Sequence, residues 1–372
     1  MGEVGQRWPM GRMVEKEQRR VAVEEGLLPQ ESAGAAEVLH AFLSTLSWGA
    51  RQLLLCHSDA DGLSAAVVLR AALERAGWRH ISIVPTGKGQ SAWTAGTLTQ
   101  VATIRPEGLF VLDLGSRPQP IFPGVPTILL DHHRPLGVPP GATLISSYEW
   151  PQAPCTSALV YYLSRTLADM TDLAWVAALG IISDLGEDAQ LAPLPGAQAH
   201  YGAHVLREAT ALVNAARRSA TGDALPALDA LLAADEPAAI SHGHLPEAVA
   251  LAGMRRAFQE ALQQSRRAAP TFHDHVALIR VHSPYLVHPA LAQMWRRRLP
   301  HHIVLVANDG YLPGQVNFSV RTALDINLLD FLQPFRSGLD ATEFGYGHDK
   351  ATGGSLRTDD WQRFLATLGF RK

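Results

Sequence analysis

Residues 52–62 read QLLLCHSDADG: an apolar run from Gln52 to Cys56 that breaks off into an imidazole, two carboxylates and a glycine. A continuous apolar run of this length reads as a strand buried on both faces, and strands of that kind belong to parallel sheets covered by helices. The stretch that follows, LSAAVVLRAALERAG, has helical spacing and closes on Gly77. HISIVP, LFVL (109–112) and PTILL (126–130) then repeat the short buried strand, and SALVYYLSRTLADM and LAWVAALGIISD read as helices. Strands alternating with helices predict an α/β fold with a parallel sheet over residues 35–189, opened by a helix in AAEVLHAFLSTL (35–46).

The acidic residues fall where those strands end. HSDAD follows QLLLC, DLG follows LFVL, DHH follows PTILL, and Asp184 ends the helical run GIISD. Ligands of open parallel sheets bind beyond the carboxyl ends of the strands. His57, Asp59, Asp61, Asp113, Asp131, His132, His133 and Asp184 are therefore expected at one sheet edge. Taken singly, Asp113 fits a helix cap or turn, and HSDADG fits a turn or a calcium-like loop. Their joint occurrence at strand ends does not fit those readings. Carboxylates with imidazoles suit a hard or borderline divalent ion, Mn²⁺ or Mg²⁺. Five carboxylates exceed the needs of one ion and would repel one another without cations. Two ions about 3.5–4 Å apart, sharing a carboxylate and activating a water for attack on phosphorus, would resolve that repulsion.

These residues resemble the motifs of the DHH phosphoesterase superfamily: HSDADG with the following SAA, then DLG, DHH and GIISD, over most of residues 50–190. Residues 269–372 resemble its associated substrate-binding (DHHA1) domain, with the glycine motif present as GYGHDKATGG and Tyr346 where the family usually has Gly. The resemblance implies that Asp59 binds the first metal, Asp61 the second, and Asp113 both. His132 and Asp184 would complete the second site, His133 would meet the scissile phosphate or protonate the leaving group, and Asp131 would orient His132. His57 would be a ligand of the first metal. It stands two positions before Asp59, as in RecJ relatives of archaeal type; the pyrophosphatase and nano-RNase pattern has its histidine four positions before, here Leu55. In the second domain Arg321 of NFSVRT would grip a phosphate or terminal nucleotide, and Gly345, Gly347, His348, Gly353 and Gly354 would form a substrate-binding loop.

The implied activity is hydrolysis of phosphodiesters in single-stranded nucleic acid or oligonucleotides, as in RecJ-like exonucleases. The alternatives are a nano-RNase or phosphoadenosine phosphate phosphatase, a cyclic dinucleotide phosphodiesterase, a family II pyrophosphatase disfavoured by the histidine spacing, and a non-catalytic, Cdc45-like scaffold. Two divalent ions are the expected cofactors, with Mn²⁺ ahead of Mg²⁺.

The remaining sequence sets the frame. With 372 residues, two domains are expected, the second a smaller α/β unit over 269–372. HVALIRVHS, HIVLVAND and the alternating QVNFSVRT read as its strands, and DDWQRFLATLGF as a closing helix. Residues 190–268, rich in Pro, Ala and Gly, read as a helical connector or insert, and residues 1–34 as a charged tail. A net charge of −3 argues against a surface built to grip long duplex DNA, while Arg266–Arg267 and Arg296–Arg298 could form local basic patches. The two cysteines, Cys56 and Cys155, form no CxxC pair, which fits a reducing compartment and excludes a zinc ribbon. With no signal-like apolar core near the start and no long apolar span, a cytoplasmic protein with no membrane partner is expected. The oligomeric state is open, a homodimer included.

Overall fold

The computed structural model describes residues 29–337, 339 and 344–370, without the side chains of residues 346 and 348. Most of the expected N-terminal tail lies outside these residues. The part that lies inside is partly helical: the first helix runs Glu31–Ser44, four residues ahead of its expected start, and buries Ala36, Leu39, Phe42 and Leu43.

The first sheet has five parallel strands, β1 (Gln52–Cys56), β2 (Ile81–Pro85), β3 (Gly108–Leu112), β4 (Thr127–Asp131) and β5 (Thr143–Ser146), in the order β2-β1-β3-β4-β5. Every residue of β1, β3 and β4 is buried. Leu54 and Cys56 face helices Ala60–Arg75, Thr156–Ser164 and Ala174–Asp184, while Leu53 and Leu55 face the layer that holds helix Ala95–Ile104. Each such leucine contributes about 1.5–3 kcal/mol by burial. The short β5 and helix Ala95–Ile104 are elements that hydrophobic periodicity did not reveal.

Strand order and register position the site. β1, β3 and β4 are neighbours, with Cys56 beside Leu112 and Leu112 beside Leu130. His57, Asp113 and Asp131 therefore leave the sheet in one row. His57 N donates to Leu112 O and Asp113 N to Leu130 O, each at 3.1 Å.

Residues 190–268 are packed into this first core. Leu206, Ala209, Val213 and Ala216 of helix Ala203–Arg218, and Leu228 and Leu231 of helix Leu225–Ala233, join the same apolar cluster as Leu54 and Leu63. Helix Pro246–Ser265 then leads into the second sheet.

That sheet holds β6 (Thr271–His273), β7 (Val276–Val281), β8 (Ile303–Asn308), β9 (Gln315–Thr322), β10 (Phe344–His348) and β11 (Ala351–Arg357), ordered β10-β11-β9-β8-β7-β6. β7 and β8 run parallel across helix His288–Arg298; the other pairs are antiparallel. Val316, Phe318 and Val320 alternate into a core closed by Trp361, Phe364 and Leu365 of helix Thr358–Thr367. The glycine-rich stretch, expected as a loop, is instead the hairpin β10–β11. Glycine is what lets it lie so close to its neighbour: a Cβ on Gly353 would sit 2.4 Å from the carbonyl oxygen of Phe318. Among the described residues no helix is long and apolar enough to cross a membrane.

Candidate metal centre

The row of strand ends is completed by helix termini. Asp59 caps helix Ala60–Arg75, accepting from Gly62 N at 3.2 Å. The turn is tight enough that a Cβ on Gly62 would lie 2.6 Å from His57 O, which accounts for the glycine of HSDADG. Asp61, in the first turn of that helix, is buried and accepts from Thr156 N and Ser157 N at 2.9 Å each, at the N-terminus of helix Thr156–Ser164. Asp113 has φ +61°, a left-handed conformation costing a non-glycine residue about 1–2 kcal/mol. The fold maintains it by the backbone bond to Leu130 and by Thr156 Oγ1, which donates to Asp113 Oδ1 at 3.0 Å.

Asp113 is the centre of the arrangement. Its Oδ2 lies 3.2 Å from His57 Nδ1, and the same nitrogen lies 3.0 Å from Asp59 Oδ2. Its Oδ1 lies 3.3 Å from His132 Nε2 and 3.8 Å from His133 Nδ1. Two groups of side chains among the described residues could each hold a metal ion, His57–Asp59–Asp113 and Asp113–His132–His133, and Asp113 belongs to both. His132 is further flanked by Asp184 Oδ2 at 3.6 Å and Asp61 Oδ2 at 4.0 Å.

The electrostatics follow from this crowding. Burial and the Asp113 charge push Asp61 up to about 7. Burial and Arg217 pull His57 down, but Asp59 and the bond to Asp113 outweigh them and lift it to about 9. Burial raises Asp59, yet His57 and Arg217 hold it at about 2. The protein thus neutralises some of its own carboxylates with imidazolium and guanidinium partners. A donor set of carboxylates and imidazoles, with one carboxylate presenting an oxygen to each group, fits a pair of divalent cations.

One expected placement is corrected. Asp131 holds His133 rather than His132: its Oδ1 accepts from His133 N at 2.6 Å and faces His133 Nδ1 at 2.9 Å, while Oδ2 accepts from Gly115 N at 2.5 Å. The residue immediately after Asp131 turns its ring toward Asp113 and Asp184, and the second one folds back. His133 also joins a metal-capable group. Arg321 is held within the second domain, where Nη1 donates to Ser319 Oγ, Val320 O and Thr352 O at 3.0, 2.9 and 3.2 Å. It is absent from the residues lining the cleft at the metal centre. The side chain of His348 lies outside the described residues.

The centre opens into that cleft, a space of about 640 Å³ between the two sheets. His57, Asp113 and His133 line one side, and Gly345, Gly347, Gly353 and Gly354 of the hairpin line the other. Arg117, Arg134, Arg217 and Arg336 also face it. None of these arginines was singled out in the sequence. Arg217 is the most consequential, since its Nη1 bonds Asp59 Oδ2 at 2.9 Å from a helix of the expected connector. Asn214, one turn earlier, accepts from Ala60 N at 3.1 Å and donates to Ser183 Oγ at 2.9 Å, tying that helix to both motif-bearing helices.

Residues 52–181 match the model of the DHH family, N-terminal domain. The matched span, about a third of the chain, is similar to that DHH domain and carries His57, Asp59, Asp61, Asp113, Asp131, His132 and His133. Its fold is RecJ-like. RecJ from Thermus thermophilus in complex with Mn²⁺ superposes with a TM-score of 0.63 at 20% identity, over 92% of this chain and 55% of that one. The chain thus spans little more than half of that RecJ. An exonuclease RecJ bound to manganese gives 0.58 at 20% identity, over 92% and 94% of the two chains. CDC45 from Entamoeba histolytica gives 0.55 at 9% identity, over 90% and 98%. At these identities the likeness is one of fold. Comparison with curated proteins returns no match.

Proposed function

We propose that this protein is a divalent-metal-dependent phosphodiesterase that acts on the ends of single-stranded nucleic acid or oligonucleotides, as a RecJ-like exonuclease. The observation that carries this reading is the division of the Asp113 carboxylate, Oδ2 toward His57 and Oδ1 toward His132, at the base of the interdomain cleft. His57, Asp59 and Asp113 would hold one ion; Asp61, Asp113, His132 and Asp184 would hold the other. Bound ions of this kind, Mn²⁺ or Mg²⁺, supply Lewis acidity and a nucleophilic water at neutral pH.

The chain's own residues do the rest. Asp131 fixes the ring of His133 through Nδ1, so Nε2 is the atom that gives a proton to the leaving oxygen. Arg117, Arg134, Arg217 and Arg336 line the cleft as partners for phosphates, a local cationic lining in a chain whose net charge is −3. The glycines of β10 and β11 let a sugar–phosphate backbone approach the opposite wall. The cleft's volume of about 640 Å³ suits a few nucleotides and also favours a second reading, a hydrolase of short oligonucleotides of the nano-RNase or phosphoadenosine phosphate type.

The test is a digestion series with Mn²⁺, using end-labelled DNA and RNA from dinucleotides to long single strands, with bis-p-nitrophenyl phosphate as a generic ester. Stepwise release from one end, lost in Asp113→Ala, is expected. Preference for the shortest substrates selects the second reading. Absence of Mn²⁺-dependent hydrolysis of every ester would leave a non-catalytic scaffold and refute the proposal.

A further inference from the structure

The first and second domains face each other across the cleft, without extensive packing between their own strands and helices among the described residues. Domains joined in that way move relative to one another unless a specific contact holds them. One such contact is built around Lys88. It lies in the turn after β2, at the sheet edge that carries the metal centre: Thr86 N donates to Cys56 O at 2.8 Å, immediately before His57. From there Lys88 Nζ donates to Ala220 O, beyond helix Ala203–Arg218, and to Pro284 O, beyond β7, at 2.7 Å each. It also stands 4.4 Å over the ring of Tyr311, a buried residue after β8. One ammonium thus joins the first domain, the helical region and the second domain.

The surroundings are shaped for this side chain. Gly222 has φ +65°, and a Cβ there would lie 2.8 Å from Lys88 Cβ. Leu312 of the second domain packs against Gly89 and leaves no room for a Cβ. The turn itself is braced. Gln90 N donates to Gly87 O at 3.0 Å, and Gln90 Oε1 accepts from Gly87 N at 3.3 Å and Thr97 Oγ1 at 3.2 Å. Gln90 and Ser91 then line the cleft, so a shift of Lys88 is passed to the cleft wall.

The residue type fits the task. The chain has 32 lysines and arginines, of which four are lysines. The two lysines among the described residues both place their ammonium among backbone carbonyls; Lys350 Nζ donates to Leu324 O at 2.9 Å and Ile326 O at 3.1 Å. A compact ammonium suits converging carbonyls, whereas the planar guanidinium suits carboxylates and phosphates.

We propose that Lys88 is an interdomain pin that holds the second domain at its working distance from the metal centre. It is a positioning residue, and it matters for substrates that must reach both walls of the cleft. The kinetic consequence rests on the phosphodiesterase reading; the mechanical one does not.

The experiment has two arms. The first measures the distance between spin labels at Gln100→Cys and Gln362→Cys, both exposed and one on each domain, by double electron–electron resonance on the metal-free full chain. The native cysteines are buried. A narrow distance distribution is expected with Lys88 and a broader, longer one in Lys88→Met, with unfolding midpoints confirming a folded variant. Lys88→Gln replaces Lys88→Met should the latter not fold. The same distribution in a folded variant overturns the proposal. The second arm compares two substrates with Mn²⁺ present. Bis-p-nitrophenyl phosphate needs the metal centre alone, and its hydrolysis should be unchanged in Lys88→Met. Loss of a charged hydrogen-bonding group should leave the closed arrangement about a tenth populated, so KM for an oligonucleotide should rise about tenfold with kcat kept. Equal losses on both substrates, as general destabilisation would give, or no loss on either, overturns the proposal. Failure of the wild type to hydrolyse any ester would refute the phosphodiesterase reading, while the first arm would still decide the pin.

Discussion

Arg217 Nη1 lies 2.9 Å from Asp59 Oδ2, joining a helix that follows the DHH motifs by many turns of chain to the cap of the first motif. On the proposed reading, Arg217 would compete with a metal ion for Asp59 and would meet a substrate phosphate in the cleft. Arg217→Ala should raise KM for oligonucleotides about tenfold, as expected for a charged hydrogen bond of about 1.5–3 kcal/mol. The same change should lower the Mn²⁺ concentration needed for half-activation, because a competing cation is gone. Steady-state kinetics over a Mn²⁺ series checks both; a higher Mn²⁺ requirement would contradict the assignment.

Asp131 is a positioning residue for His133. Asp131→Asn should lower kcat about 10–100-fold, the usual cost of losing a partner that orients a ring at a metal centre, with little change in KM. Asp131→Asn in the His133→Ala background should cost little more, since Asp131 acts through the His133 ring. Additive losses would separate them.

What was legible in the sequence was the part governed by period and topology. Buried strands of five residues followed by acidic groups imply a common sheet edge, and β1, β3 and β4 do stand side by side there. The strand QVNFSVRT coincides with β9 because its alternation records one buried face. Arg217, Asn214 and Thr156 were not legible, because a helix face is set by packing between distant segments and no local pattern marks it. Nor could the sequence say which of two adjacent histidines Asp131 would hold, which depends on how the chain turns after β4. The glycine-rich stretch lacks strand-forming residues, and it is a hairpin only because β9 supplies the register.

Gly353→Ala should destabilise the second domain by about 2 kcal/mol or more, because the added methyl meets the backbone oxygen of Phe318 rather than a movable side chain. Differential scanning calorimetry should show a lowered Tm for Gly353→Ala, with Mn²⁺ binding at the first domain retained. An unchanged Tm would contradict the close strand contact.

Burial, with Arg217 and Arg321 adding to it, holds His288 down at about 3. The unfolded chain takes up that proton near pH 6.5, so the stability contributed by neutral His288 is complete above that pH and is lost as the pH falls toward 3. Urea midpoints at pH 7 and 4.5 should differ more for wild type than for His288→Phe. Equal differences would mean that His288 is not the buried neutral group described.

On the proposed reading, Asp113, which belongs to both candidate metal groups, would serve two ions. Calorimetric titration of the metal-free protein with Mn²⁺ measures this directly. The expected result is two ions per chain for wild type and loss of both high-affinity sites in folded Asp113→Ala. A single ion in the wild type, or two ions retained by the variant, would contradict it.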